Sequence, residues 1–183
     1  AARLPWPSAG HGDEVTQPFN LNPRPQTGVA DNSHLQRHGG SAVAYNVWQY
    51  LQVTEDIEFL EFYGAELMLE IARFWASLAS FNDQRERYEI HGVMGPDEFH
   101  DAYPGATNAG LKNNAYTNVM AVWVFSRALE AIDLVSDSRR AELKDRLGLS
   151  SQELAKWDEI SRKMYVPFQE GGIISQFEGS RAC

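Results

Sequence analysis

The sequence predicts an all-α fold. Apolar residues recur at three- and four-residue spacing over long stretches, alternating patterns are short and scarce, and Val119 to Phe125 is apolar on every side. A helix of that last kind needs packing partners on all flanks. Five helices behind an irregular leader account for most of the 183 residues.

Residues 1–33 read as the leader. Pro5, Pro7, Pro18, Pro23 and Pro25 crowd its start, and Gly10, Gly12 and Gly28 break up the rest. The large aromatics Trp6 and Phe19 indicate an ordered loop laid over something. The first helix spans His34 to about Val53, with Val43, Val47, Tyr50 and Leu51 on one face. Gly39 and Gly40 near its start each cost about 1 kcal/mol against alanine in a helix interior. Either the regular helix begins after them or another element comes close there. Residues 55–81 form the clearest helix, with Leu60, Tyr63, Leu67, Ile71, Phe74 and Leu78 as a stripe. Phe59, Phe62, Met68 and Trp75 widen it, and Asn82-Asp83 ends it. Residues 87–94 leave room for a short extended pair, and 95–112 are loop. A third helix covers Asn114 to Val135. Helices at 138–147 and 151–165 follow. Gly148 stops the first, and Ser150 with Glu153 makes a capping box for the second. Its stripe is Leu154, Trp157, Ile160 and Met164. Ile173, Ile174 and Phe177 suggest a short strand.

Length and composition indicate one domain with a sizeable core, at 43% hydrophobic and 22% charged residues. A net charge of −9 disfavours DNA and RNA as partners. The basic residues from Arg127 to Lys163 interleave with acids, as on a salt-bridged helix surface. No apolar run approaches the ~20 residues of a membrane span. The single cysteine, Cys183, rules out an intrachain disulfide and fits a reducing, cytoplasmic setting. The start at Ala1 and the tail at 180–183 read like a piece of something larger with a truncated or foreign end.

The most informative segment is His91 to Asp101, HGVMGPDEFHD. It gathers Asp97, Glu98, His100 and Asp101 in a Gly/Pro-bounded loop between apolar helices. A rigid, partly desolvated carboxyl there suits a general acid at neutral pH. The bland alternative is a turn capped by Asp97 with Glu98 in solvent. Asn113-Asn114-Ala115-Tyr116-Thr117-Asn118 offers amides and hydroxyls that suit sugar hydroxyls, or else caps a helix. His34 and His38, four apart, have zinc-chelating spacing but no convincing third ligand, so no metal is expected. No phosphate loop and no Ser-His or Cys-His arrangement is visible. Trp48, Trp75, Trp123 and Trp157 fall on helix stripes and read as core. Trp6, in the loop, reads as a sugar-stacking residue or an anchor for the leader.

GVMGPDEFH followed by NNAYTNVMAVW resembles the catalytic segment of family-65 glycoside hydrolases and phosphorylases. LPWPSA, DNSHLQRH, AYNVWQY, FYGAELMLEIARFWAS and GGIISQFEG extend the resemblance over nearly the whole chain. It implies part of an (α/α)6 barrel of about twelve helices, of which about five are here. It implies an inverting α-glucoside phosphorylase acting on a trehalose- or maltose-type disaccharide, with inorganic phosphate as co-substrate and no cofactor. By the same resemblance Glu98 is the catalytic acid. Asp31, Trp6 and His38 match sugar-binding positions. The full enzyme is expected to be a homo-oligomer. A hydrolase of the same family is the alternative activity. A catalytically inactive fragment that at most binds carbohydrate or a partner is the alternative from another class, and the 183 residues alone are expected to lack activity. Two departures bear on the sugar pocket: Gly28-Val29-Ala30 stands where relatives carry a tryptophan, and Gly39 where they carry a bulky aliphatic.

Overall fold

The computed structural model describes residues 3–5, 8–21, 28–97 and 100–180. Trp6 and Glu98 lie outside the described residues, as do residues 181–183. The leader is not wholly irregular. Phe19–Leu21 (β1) pairs antiparallel with Gly28–Ala30 (β2), and a 3-10 turn at Ser33–Leu35 precedes the first helix.

That helix, α1 (Gly39–Thr54), starts five residues later than the sequence pattern suggests. Its glycines serve close approach. A Cβ on Gly40 would stand 3.4 Å from Ile71 Cγ2 on a later helix. Next come Ile57–Phe59 (α2), a π-helical stretch at Leu60–Gly64 and Ala65–Leu78 (α3), continuous as one helix. The Asp56 side chain caps its start by accepting from the Phe59 N–H at 2.9 Å.

The π stretch changes which face is buried. The Ala65 N–H bonds to the Leu60 carbonyl, five residues back. The widened turn leaves Phe62 and Tyr63 exposed, and the core side becomes Leu60, Ala65, Met68, Leu69, Ile71, Ala72 and Trp75. Of the predicted stripe, Leu60 and Ile71 are buried and Leu67, Phe74 and Leu78 pack at the edge of the core, whereas Tyr63 is exposed, which corrects that member. Gly64 permits this course, since a Cβ there would meet Val47 Cγ1 at 3.1 Å.

The all-α expectation also needs correction. The helix stops at Leu78, and Ala79–Asn82 (β3), Arg87–Val93 (β4) and Leu111–Lys112 (β5) form an antiparallel sheet in the order β3-β4-β5. Asn82 is a turn residue, not a helix stop. Its Oδ1 accepts from the backbone N–H groups of Gln84 and Arg85 at 3.0 and 3.2 Å. Near the end of the chain, Phe168 and Ile174 form a single bridge in place of the suggested strand.

The last three helices are α4 (Ala115–Leu134), α5 (Asp137–Leu147) and α6 (Ser151–Lys163). α4 is central, against α3 and α6, with α1 alongside α3 and α4. Ala121, Val124, Phe125, Ala128 and Ala131 put its inner face in the core. Its other flank is open among the described residues. Val119 is 47% exposed, and Trp123 is half-buried against the exposed Tyr45, with ring centroids 5.6 Å apart. Trp48, Trp75 and Trp157 are core; Trp123 is not fully so. Among the described residues no helix is long and apolar enough to cross a membrane.

Candidate active site

Three segments converge at one end of α1 and α4. The turn at 31–36 lies against the loop at 94–101. The Met94 N–H donates to the Leu35 carbonyl at 3.0 Å, and Asn32 Nδ2 donates to Asp101 Oδ2 at 2.7 Å. The Gln36 amide, buried, reaches the Met94 sulfur at 3.7 Å. The third segment, Ile174–Gln176, is held on the start of α4 by the Ala115 N–H donating to the Gln176 carbonyl at 2.9 Å.

A cavity of about 260 Å³ is bordered by Asp97 and His100 of the loop, Asn114 and Tyr116 at the start of α4, and Ser175 and Gln176, with no residue of the 31–36 turn in its wall. That is just below the range of about 300–1,000 Å³ for drug-sized ligands. Asp97 and His100, the described residues on either side of Glu98-Phe99, both border it. His100 packs edge-on against Phe177 at 5.2 Å.

The predicted residues divide as follows. His38 is the N-cap residue of α1 and meets the Tyr116 ring edge-on at 5.8 Å, so it sits beside the cavity. It is 9% exposed, and burial pushes its pKa down, favouring the neutral imidazole. Asp31 opens the 31–36 turn and is not among the residues that border the cavity. Its Oδ1 accepts from the Ser33 N–H at 2.8 Å. Trp6 and Glu98 are outside the described residues. His34 is exposed in the 3-10 turn, so it does not share a helix face with His38 as the zinc spacing requires.

Each amide of Asn113–Asn118 has at least one bond within the protein itself. Asn114 caps α4, its Oδ1 accepting from the Thr117 N–H and hydroxyl at 3.0 and 3.1 Å. Asn113, fully buried, accepts from the Ile90 N–H and donates to Glu178 Oε2 at 2.8 Å. Asn118 donates to the Tyr165 carbonyl at 2.7 Å. The capping alternative thus holds for Asn114, which also borders the cavity, while Asn113 and Asn118 are tied to neighbouring segments of the protein. Tyr116, 41% exposed, lines the cavity together with Asn114 and Ala115. Gln176 went unmarked as a site residue because nothing local to GGIISQFEG separates a wall residue from a loop residue.

Two other hollows lack this character. A groove of about 790 Å³ between α3 and α6 is bordered by the Arg73–Glu153 ion pair and the Ser150 cap. Another of about 520 Å³ contains Glu89, His91 and Glu178, whose ligand atoms lie within 4.8 Å of one another. Arg85 bridges the two carboxylates of this group, at 3.0 Å from Glu89 and in contact with Glu178. A guanidinium in that position takes the place of a cation, so the cluster reads as an ion-pair network.

The fold is a helix-rich piece of a larger domain, and the family match makes that domain a carbohydrate-active catalytic one. Residues 1–182 match the glycosyl hydrolase family 65 central catalytic domain, and the chain belongs to that family. It is 54% identical over 97% of its length to an uncharacterized glycosyl hydrolase of Mycobacterium tuberculosis, covering 13% of that protein. It is 35% identical, over 97% of its length and 22% of the relative's, to kojibiose phosphorylase of Thermoanaerobacter brockii. A solved putative kojibiose phosphorylase from the human microbiome superposes with a TM-score of 0.67 at 28% identity, covering 79% of this chain and 19% of that one. The chain thus spans less than a quarter of each of these relatives.

Proposed function

We propose that this chain is part of an inverting phosphorylase that cleaves an α-linked glucose disaccharide with inorganic phosphate. Its helices would be about five of the twelve of an (α/α)6 barrel. The observation that carries the reading is the cavity bordered by Asp97 and His100, with His38 and Tyr116 beside it. The phosphorylase relatives support the choice of reaction.

In this reading the Glu98 carboxyl donates its proton to the glycosidic oxygen as the C1–O bond breaks. A phosphate oxygen attacks C1 from the opposite face, giving β-glucose 1-phosphate and a second sugar. Phosphate replaces the water and its activating base, so one protein carboxyl suffices here. Asp31 and neutral His38 contact sugar hydroxyls, and Trp6 stacks on a ring. Hydrolysis is the second reading, favoured by the hydrolase description of the 54%-identical relative.

The test is incubation of the full-length protein with trehalose, maltose and kojibiose, with and without phosphate. β-Glucose 1-phosphate formed only with phosphate is the expected outcome. Glucose alone at equal rates in both arms makes it a hydrolase, and no cleavage in either arm refutes both readings. Glu98→Gln removes the proton and should lower kcat by about 10²–10⁴-fold, with the rate on α-glucosyl fluoride largely kept.

A further inference from the structure

The loop that carries Glu98 is fastened at both feet to one short turn. At the near foot, the Met94 N–H bonds to the Leu35 carbonyl, a backbone contact that survives most substitutions. At the far foot the fastening is a side-chain hydrogen bond, Asn32 Nδ2 to Asp101 Oδ2 at 2.7 Å, between residues 69 apart in the chain. Both side chains are half-buried, which shields the bond from competing water. The Asp101 carbonyl also accepts from the Gly110 N–H at 2.6 Å, so the far foot is anchored on its other side. Asn32 directly follows Asp31, and Asp101 is three residues beyond Glu98. One hydrogen bond therefore ties the turn that bears Asp31 to the loop that bears the proton donor.

We propose that Asn32 and Asp101 are a positioning pair that sets the reach of the proton-donating loop towards the glycosidic oxygen. The proposal rests on the reading of Glu98 as that donor. The pair touches no reacting atom in this account. Its contribution is distance and angle, to which proton transfer is sensitive: a 1 Å misplacement costs about 10²-fold in rate.

A leaving-group comparison separates positioning from general damage. Fluoride departs from α-glucosyl fluoride without a proton, whereas the sugar of a disaccharide leaves only when its oxygen is protonated. Asn32→Ala and Asp101→Ala in the full-length protein should lower kcat on the disaccharide turned over fastest, and move the disaccharide-to-fluoride rate ratio by about 10²-fold. A purely structural loss lowers both rates together and leaves the ratio fixed. Asp101→Asn keeps an acceptor for Asn32 and should restore the ratio.

The variants also distinguish Asp101 from a proton donor in its own right. A donor would lose as much in Asp101→Asn as in Asp101→Ala, and Asn32→Ala, which removes no titratable group, would leave the ratio alone. Either of those results overturns the proposal. Equal losses on both substrates in Asn32→Ala and Asp101→Ala overturn it too, while Glu98→Gln still behaves as an acid variant. Glu98→Gln with an undiminished disaccharide rate removes the donor assignment, and this proposal with it.

Discussion

Gly95→Ala tests how the floor of the cavity is built. A Cβ at position 95 would lie 2.4 Å from Asn114 Nδ2 and 3.2 Å from its Cγ. The amide cannot simply rotate away. Asn114 is 4% exposed, and its Oδ1 holds the Thr117 N–H and hydroxyl. Two responses are open to the protein. If the backbone of 94–96 shifts, overpacking costs about 1–3 kcal/mol. If Asn114 swings out, the cap is lost at about 1 kcal/mol and a buried polar group is left unpaired at about 1–3 kcal/mol. The cheaper route sets the outcome, so Gly95→Ala should destabilise by about 2 kcal/mol. Urea unfolding followed by tryptophan emission reads the size, and amide exchange at Thr117 reads the route. Asn114→Ser supplies a shorter cap that leaves room for the methyl, so the double variant should be more stable than the sum of the single effects. Strict additivity, or a Gly95→Ala loss below about 0.5 kcal/mol, would refute the steric account.

Glu178 gives a pH prediction. The hydrogen bond from Arg85 holds its carboxyl below the usual range, so its stabilisation is fully present above the unfolded value near 4.3 and is lost as pH falls through the folded one. Glu178→Gln should flatten the acid limb of a stability-versus-pH curve below about pH 4, and an unchanged limb counts against the ion pair. Ser150→Ala should cost about 1 kcal/mol, because Ser150 Oγ accepts from the Glu153 N–H at 3.0 Å, and it should speed amide exchange at Glu153. The isolated 183-residue chain leaves Tyr45, Phe62, Tyr63 and Val119 exposed and should self-associate in light scattering. Replacing Phe62 and Tyr63 by serine should reduce that association, whereas a dilute monomer from the start contradicts it.

What the sequence discloses depends on how far away each residue's partner is. Gly148 and the Ser150–Glu153 box act within four residues. The stop and the cap both stand where the letters put them, with Gly148 at φ 58° and Ser150 Oγ accepting from the Glu153 N–H at 3.0 Å, but the box is only half made, because the Glu153 carboxylate turns to Arg73 instead. The sheet was legible only as room for a short extended pair at 87–94, where β4 stands, because Tyr88, Glu89 and Ile90 are buried in succession and carry no alternating signal. Its strands are fixed by pairing of Ala79 with Ile90 and of Val93 with Leu111, which no local window contains. Gly64 was the one clue to the π turn, and its meaning depends on Val47 in another helix.

The candidate site follows the same logic. Its loop was legible because Gly95, Pro96 and the clustered acids punctuate the chain. The fate of the amides beside it was not. Asn113 has a left-handed backbone at φ 50° and no exposure, and Asn114 opens a helix. A helix start presents N–H groups with no partner inside the helix, and an adjacent turn adds more. Those donors claim nearby side-chain oxygens before any ligand can. An amide-rich string at the start of a helix is therefore a weak sign of sugar binding, and an aromatic in the same string, such as Tyr116, is the better one. Its ring has no such backbone claim on it, and here it borders the cavity beside Asn114, whose Oδ1 is taken up by the helix cap.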